Sequence, residues 1–308
     1  MKKTAIMFPG QGSQFVGMGK ELFEESPEVR ANFQLASQVL GKDISKIMFE
    51  GPEETLQETD NTQPAIFLVS ISFLDKLKDK DLNIVYFLGH SLGEITAYYA
   101  SGIFNLETAL KVIKNRSQAM LNTYKNQAGM AAVIGAELKL IETVVNNVNK
   151  SEPAFIANYN SNEQIVISGS LKGVEAATAE LKANGVRKII PLKVNGPFHT
   201  PLMEKASSEF ARFLDTINFQ EPHTPVILNR TSTPETNVNA LKDNLPLQIQ
   251  SSVRWLQSIE FVAKEVDCLI ECGPGKVLTG LAKKILKDKE IIHANEFVNE
   301  PIAKWEIF

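Results

Sequence analysis

The stretch Gly89-His90-Ser91-Leu92-Gly93 constrains this chain more than any other, because it sets a serine between two glycines directly after an apolar run. Residues 83–88 form that run and are predicted to be a strand, and a helix is predicted from about Gly93 onward. Glycines on both sides of a serine permit the close backbone approach of a strand-to-helix turn that holds the hydroxyl out from the end of a sheet. The sequence therefore predicts a nucleophile elbow. An ordinary serine in such a turn is the alternative, since the pattern is short.

The order of predicted elements divides the chain into two units. Strands at residues 4–8 and 83–88 alternate with helices, and the same α/β alternation resumes after the middle of the chain. Between them, residues 128–194 give the order βαββαβ, which is the ferredoxin-like pattern. We therefore predict an α/β hydrolase-like large subdomain with a parallel sheet at residues 1–127 and 195–308, and an inserted ferredoxin-like small subdomain at residues 128–194. A cleft between the two is the expected ligand site.

Composition narrows the classes of function. With 44% hydrophobic residues, a net charge of -4 and no basic stripe, the chain is not expected to bind nucleic acid. Its first apolar run ends at Pro9-Gly10 and is too short for a signal peptide or a membrane span, so we expect a cytoplasmic protein that does not bind membranes. Cys268 and Cys272 have no histidine at zinc-site spacing, and they are expected to be buried free thiols rather than metal ligands.

A nucleophilic serine requires a base, and the chain offers four histidines. His90 adjoins the serine on a tight turn, so its side chain is expected to point away from the hydroxyl. His199 follows a Gly/Pro-rich stretch at the end of a predicted strand, where active-site residues collect in α/β folds, and it is the best candidate. No aspartate lies between Ser91 and His199, so a Ser-His pair oriented by a backbone carbonyl or an amide fits better than a triad.

Attack on an acyl group creates an oxyanion that needs preorganised N–H donors. Glycines on both sides of Gln11 allow its backbone N–H to face a ligand, and Leu92, the residue after the serine, would supply the second N–H. The loop that holds Gln11 is not a phosphate loop, because Phe15 stands where G-x-G-x-x-G needs a glycine. Arg116 has lysines nearby, and its spacing alone predicts a solvated charge.

Six blocks of the sequence together closely resemble bacterial malonyl-CoA:acyl carrier protein transacylases. The match runs in order over nearly the whole chain, so it is far more specific than any single motif, and that family's ferredoxin-like subdomain falls where the βαββαβ order is predicted. The blocks are FPGQGSQ (residues 8–14), TQPA (62–65), GHSLGE (89–94), Arg116, GPFH (196–199) and ECGPGKV (271–277).

What the resemblance implies is a two-step transfer of a malonyl group through an ester on Ser91. His199 is then the general base, and the N–H groups of Gln11 and Leu92 bind the oxyanion. Arg116 is implied to pair with the malonyl carboxylate, which reverses the expectation from spacing. The implied substrates are malonyl-CoA and the phosphopantetheine thiol carried by an acyl carrier protein, with no bound cofactor, and we expect a monomer.

The resemblance also implies roles and departures around the base. Gln248 matches a family glutamine that helps to orient the histidine, although Gln250 lies close enough to confuse the assignment. Phe198, together with Leu92, resembles the malonyl-selecting residues of related polyketide acyltransferases. Asn195 and Ser252 depart from the family pattern, which commonly has a small residue and a proline at these positions.

Three other functions stay open at this point. A discrete acyltransferase that loads a polyketide synthase carrier would use the same residues with a different partner. A serine thioesterase or esterase would release free acid from the acyl-enzyme without any carrier. A catalytically silent binding module would not depend on Ser91 for acyl loading.

Overall fold

The protein is described here by a computed structural model that covers residues 1–123, 127–194 and 196–298. The first part of the chain is mostly helical around two strands that become neighbours in a sheet. Its elements are β1 (Lys3–Phe8), α1 (Lys20–Glu25), α2 (Pro27–Leu40), α3 (Ile44–Glu50), α4 (Glu53–Gln57), α5 (Thr59–Leu77), β2 (Asn83–Gly89), α6 (Leu92–Ala100) and α7 (Leu106–Thr123).

The middle of the chain supplies a second sheet, and the last part returns to the first one. The middle elements are β3 (Ala128–Ile134), α8 (Leu138–Val148), β4 (Ala154–Ser161), β5 (Gln164–Ser170), α9 (Leu171–Ala183) and β6 (Lys188–Pro191). After a 3₁₀ turn at Pro201–Met203 the elements are α10 (Glu204–Leu214), β7 (Val226–Ile227), β8 (Pro234–Glu235), α11 (Val238–Ile249), α12 (Trp255–Val262), β9 (Cys268–Glu271), α13 (Val277–Ile285), β10 (Glu290–His293) and α14 (Ala294–Val298).

Strand β1 lies inside the larger sheet and is covered on both faces. It pairs in parallel with β2 and β9, and the strand order in the described residues is β10-β9-β1-β2-β7-β8. Ile6 and Phe8 pack into one core with α2, α5 and α7, whereas Ala5 and Met7 pack into another with α12 and α13. A parallel strand that is buried on both faces needs apolar side chains on both, which explains the unbroken hydrophobic run at residues 5–8 of β1.

The parallel register brings three loops to the same edge of this sheet. Phe8 lies opposite Gly89, and Leu88 lies opposite Ile227. The residues that follow β1, β2 and β7 therefore meet beyond the carboxyl ends of the strands, which is where open α/β sheets bind ligands. The predicted α/β fold with a parallel sheet is confirmed, and the pair formed by β7 and the short β8 is antiparallel.

The smaller sheet has the order β4-β5-β3-β6, and its pairs are antiparallel. This order, with α8 and α9 packed on one face, is that of the predicted ferredoxin-like unit. Residues 162–163 form the turn between β4 and β5, and Asn160 lies within β4. The subdomain boundaries at residues 127/128 and 194/195 stay predictions.

Two further expectations concern burial and helix length. Cys268 and Cys272 are buried free thiols. In the part of the chain that the structure describes, no helix combines the length and the apolar character needed to cross a membrane.

Candidate active site

Ser91 lies at the tip of a tight turn between β2 and α6. Its φ of 53° is positive, which is uncommon for a residue with a side chain. Gly89 and Gly93 make this turn possible, because a Cβ on Gly89 would lie 1.9 Å from the Gly93 carbonyl carbon and a Cβ on Gly93 would lie 2.0 Å from the Phe8 oxygen. Both contacts are far too close for any side chain, so the two glycines allow the turn to pack against itself and against the end of β1.

The Ser91 hydroxyl faces His199. Its Oγ lies 2.8 Å from His199 Nε2, and His199 Nδ1 lies 3.1 Å from the main-chain oxygen of Gln248 and 3.2 Å from that of Ser251. Since both carbonyls can only accept, they fix the proton on Nδ1 and leave Nε2 as the acceptor for the hydroxyl proton. This is the base geometry that the sequence predicts, with carbonyl oxygens in the place of a triad carboxylate.

Arg116 is fully buried beside the nucleophile, and it is not the solvated charge that its spacing predicts. One end of the guanidinium donates from Nη1 to Gln63 Oε1 at 3.0 Å. The other end donates from Nη2 to Ser91 Oγ at 3.0 Å and to Gln248 Oε1 at 2.9 Å. Helix α7 thus aims a cation into the site, because Arg116 lies on the buried face of the helix.

Gln248 lies in the last turn of α11, a helix that the sequence analysis did not predict, and it contacts the site in two ways. Its main-chain oxygen faces the histidine, while its side-chain Nε2 donates to the main-chain oxygen of Ser91 at 2.8 Å. The contact that orients His199 is therefore made by the backbone, and the Gln248 side chain links the nucleophile turn to Arg116. Gln250 is directed elsewhere, to Ser207 Oγ at 3.1 Å.

Burial and the nearby cation set the charge states of the site. Burial, and then the positive charge of Arg116, lowers the pKa of His199 to about 3, so the imidazole is neutral and able to accept a proton at physiological pH. Burial lowers the pKa of Arg116 to about 10, which leaves it charged. The site therefore combines a neutral base with one buried positive charge.

The two candidate oxyanion donors line a common cavity with the nucleophile. A cavity of about 70 Å³ is bordered by Gln11, Ser91 and Leu92, together with Met120 and Phe198. Neither the Gln11 N–H nor the Leu92 N–H has a hydrogen-bond partner within the described residues. Unpaired N–H groups next to a nucleophile are suited to hold a developing negative charge.

His90 points away from the hydroxyl, as the tight turn predicts. Its Nε2 lies 2.8 Å from Asn160 Oδ1 on β4 and 3.4 Å from Asn158 Nδ2. It thereby joins the nucleophile turn to the smaller sheet. Ser252 makes a second link of this kind, since its Oγ donates to the Ile156 oxygen of β4 at 2.7 Å. Asn195 lies outside the described residues.

Sequence reasoning missed three polar residues that surround the turn. Gln63 holds Arg116, Asn229 accepts from the Ser91 N–H at 2.7 Å, and Glu94 accepts from the Asn229 N–H at 2.6 Å. Gln63 and Glu94 stand in two of the recognised sequence blocks, and that position was their only signal. Asn229 lies just beyond the carboxyl end of β7, so the rule that ligands gather at the carboxyl ends of strands was its only signal. Over the described positions, no cluster of His, Cys, Asp or Glu suits a metal ion.

Comparison with known proteins agrees with this geometry. The family described as "Acyl transferase domain" matches residues 6–301. The malonyl CoA-acyl carrier protein transacylase of Bacillus subtilis (strain 168) is 39% identical over 288 residues, which cover 92% of this chain and 91% of that protein.

Solved structures give the same result. The acyl-carrier-protein-S-malonyltransferase from Bartonella henselae has a TM-score of 0.93 and 35% identity, and the match covers 99% of each chain. A structure described as a type II PKS acyl-carrier protein in complex with its malonyl-transacylase has a TM-score of 0.90 and 34% identity over 94% of each chain.

Proposed function

Because this chain belongs to the acyl transferase domain family, we propose that it transfers malonyl groups from malonyl-CoA to acyl carrier protein through an ester on Ser91. One observation carries the proposal beyond the family. The charged guanidinium of Arg116 is buried 3.0 Å from the Ser91 Oγ, so the acyl group held there meets a cation. Malonyl has a free carboxylate that can pair with it, and acetyl has none.

The first half-reaction forms the malonyl-enzyme. The Ser91 Oγ attacks the thioester carbonyl carbon while its proton passes to His199 Nε2, over the 2.8 Å that separates the two atoms. The carbonyl oxygen becomes an oxyanion, which the free N–H groups of Gln11 and Leu92 stabilise. When the oxyanion collapses, the C–S bond breaks, and His199 returns the proton to the departing thiolate to release free CoA.

The second half-reaction reverses these steps with a different thiol. The phosphopantetheine thiol of the carrier protein gives its proton to His199, and its sulfur attacks the ester carbonyl. The C–O bond to Ser91 then breaks, and His199 protonates the serine again. Because its pKa is lowered, His199 is neutral at physiological pH, so its Nε2 is free to receive the proton at the start of each half-reaction.

Selection for malonyl has two sources in this proposal. Arg116 forms a bidentate pair with the carboxylate, and Gln63 and Gln248 keep the guanidinium in place. Leu92 and Phe198 border the cavity next to Ser91, and we expect their bulk to disfavour an α-methyl branch by about 1–3 kcal/mol.

The carrier and the pathway form part of the proposal. We propose fatty acid synthesis in the cytoplasm, while the similarity to a transacylase solved with a polyketide carrier keeps the discrete polyketide acyltransferase as the second candidate. Transfer assays with the carrier proteins of the same cell separate the two. Faster transfer to the fatty acid carrier supports the proposal, and faster transfer to a polyketide carrier contradicts it.

The experiment that tests the proposed reaction is intact-protein mass spectrometry after mixing with malonyl-CoA. We expect a malonyl adduct that maps to Ser91, persists in buffer and is discharged by holo acyl carrier protein. A thioesterase would instead release free malonate rapidly with no carrier present, and that result would exclude transfer as the main activity. A binding module would take up no adduct, or would take up the same adduct after Ser91→Ala.

A further inference from the structure

The Ser91 backbone adopts a conformation that its own sequence does not favour. Its φ of 53° and ψ of −104° lie in a sparsely populated region for a residue with a side chain. Such a conformation persists only where the surroundings hold it. Gly89 and Gly93 remove the steric obstacles, but they leave the Ser91 N–H without a partner in the turn.

The side chain of Asn229 closes this turn. Its Oδ1 accepts from the Ser91 N–H at 2.7 Å, and its Nδ2 donates to the Gly89 oxygen at 2.6 Å. One amide group therefore pairs with the main chain on both sides of His90, as a neighbouring strand would. Asn229 is 2% exposed, so water does not compete for these two bonds.

Asn229 is itself held on two sides. The main-chain N–H of Asn229 donates to Glu94 Oε2 at 2.6 Å, and its main-chain oxygen accepts from the Arg254 main-chain N–H at 2.9 Å. Glu94 is fully buried in the first turn of α6, and its other oxygen accepts from Asn244 Nδ2 at 2.8 Å. The carboxylate is thus directed at Asn229 rather than at the reacting atoms.

We propose that Asn229, anchored by Glu94, is a positioning residue that fixes the two peptide groups on either side of His90. The second of these groups carries the Ser91 N–H, and it sets the direction of Oγ toward His199. The next peptide group carries the Leu92 N–H, and its oxygen is held by Gln248 Nε2 instead. This inference rests on the proposed role of Ser91 as the nucleophile.

The test compares Asn229→Ala with Asn244→Ala. The two asparagines are equally buried, but the Asn229 side chain bonds to the Ser91 turn, whereas the Asn244 side chain bonds to Glu94. We expect Asn229→Ala to lower kcat by about 10²-fold, because a displaced nucleophile loses roughly that factor, while KM for malonyl-CoA stays within about threefold. Asn244→Ala should lower the melting temperature by a comparable amount and keep kcat within about threefold of the unaltered enzyme.

A second measurement is independent of malonyl transfer. The rate at which phenylmethylsulfonyl fluoride modifies Ser91 should fall for Asn229→Ala and not for Asn244→Ala. If the unaltered enzyme forms no malonyl adduct, the proposed function fails, while these rates still decide the role of Asn229. Equal losses for both variants, or no loss for Asn229→Ala, would overturn the proposal.

Asn229→Asp serves if the alanine variant does not fold. It keeps the side-chain volume and the acceptor for the Ser91 N–H, but it places a second acceptor against the Gly89 oxygen. A loss of kcat of about tenfold or more supports the proposal, and a kcat within about threefold of the unaltered enzyme overturns it.

Discussion

Two strand-to-helix turns of the larger sheet use similar residues with opposite results. The elbow turn (residues 89–93) joins β2 to α6, and the closed turn (residues 272–276) joins β9 to α13. Each contains two glycines and adjoins a buried glutamate and a histidine. The elbow turn faces a cavity, whereas at the closed turn the first helix N–H groups are bonded to Glu271.

At the closed turn, a glutamate caps the start of the helix that follows. Glu271 accepts from the Leu278 N–H at 3.0 Å and from the Thr279 N–H at 2.7 Å, so a side-chain carboxylate occupies the place where a ligand could bind. His293 Nε2 donates to the Gly273 oxygen at 2.8 Å. Glu271 thereby makes the Leu278 and Thr279 N–H groups at the start of α13 unavailable to a ligand.

The elbow turn leaves one N–H group at the start of α6 available. Glu94 is directed backward to Asn229, and the Leu92 N–H stays without a partner in the described structure. His199 is held by carbonyl oxygens and turns its free nitrogen to Ser91. This difference shows that glycines, a glutamate and a histidine near the end of a strand are not sufficient to form an active site. What matters is where each polar group finds its partner.

The largest effect should follow from removing the nucleophile of the elbow turn. We expect Ser91→Ala to lower malonyl transfer by about 10⁴-fold or more, because no other group can form the ester. The measurement is the steady-state rate together with the loss of the malonyl adduct. Thr279→Ala beside the closed turn keeps its backbone N–H and should leave transfer within about twofold. Uptake of malonyl by the Ser91→Ala enzyme would contradict the assignment of the nucleophile to the elbow turn.

The next effect concerns the cation of the elbow turn. Arg116→Ala removes the buried partner of the substrate carboxylate, so kcat/KM for malonyl transfer should fall by about 10²- to 10³-fold. Acetyl transfer should change little, because acetyl has no carboxylate. Competition assays with both thioesters measure the ratio directly, and Lys111→Ala, an exposed lysine of the same helix, is the control. Equal losses for the two thioesters would show that Arg116 supports the site without recognising the carboxylate.

A stability effect should single out the closed turn. Glu271→Gln keeps one acceptor but turns an amide nitrogen toward a backbone N–H, and we expect a loss of about 1–3 kcal/mol in the free energy of unfolding. Transfer activity of the folded protein should remain within about threefold. Urea unfolding measures the loss, with the exposed Glu260→Gln as the matched control. A large loss of kcat without loss of stability would give the closed turn a part in the chemistry.

The smallest effect is a shift in pH dependence. Burial lowers the pKa of His199 first, and the charge of Arg116 lowers it further, to about 3. Without that charge the imidazole protonates more easily, so Arg116→Ala should move the acid limb of kcat/KM to higher pH. Acetyl transfer is the reaction to follow, since it does not need the carboxylate pair. An unmoved acid limb would mean that Arg116 does not act on the base through its charge.

The sequence predicted part of the larger sheet because β1 and β2 are apolar runs whose ends are marked by glycine or proline. The strands predicted at residues 4–8 and 83–88 end within a residue of the observed strands, Lys3–Phe8 and Asn83–Gly89. By contrast, α11 was missed. Helix α11 contains Pro246 and mixes polar and apolar residues, so its position depends on packing that a local pattern does not record.

The candidate site was predicted in part, and the limit is physical. Motifs at the ends of strands pointed to four site residues, because each motif requires a special local backbone. The four are Ser91, His199, Gln11 and Leu92. Arg116 was named by family resemblance and would have been rejected on spacing, since burial of a helical arginine depends on what packs against that face. Asn229 gave no local signal beyond its place at a strand end.

The elbow turn was determined by the sequence itself. Glycines at positions 89 and 93 are required wherever a serine turn packs against β1, so the chemistry of a nucleophile could be inferred from residues that are adjacent in the chain. Only the tertiary structure decided which polar groups are satisfied and which stay available. Glu94 in the first turn of α6 and Glu271 at the end of β9 are both buried, but the first holds Asn229 and the second caps helix α13. The partner of Glu94 is more than a hundred residues away in the chain, and the bonds of Glu271 depend on how its turn folds. Neither can be inferred from the local sequence.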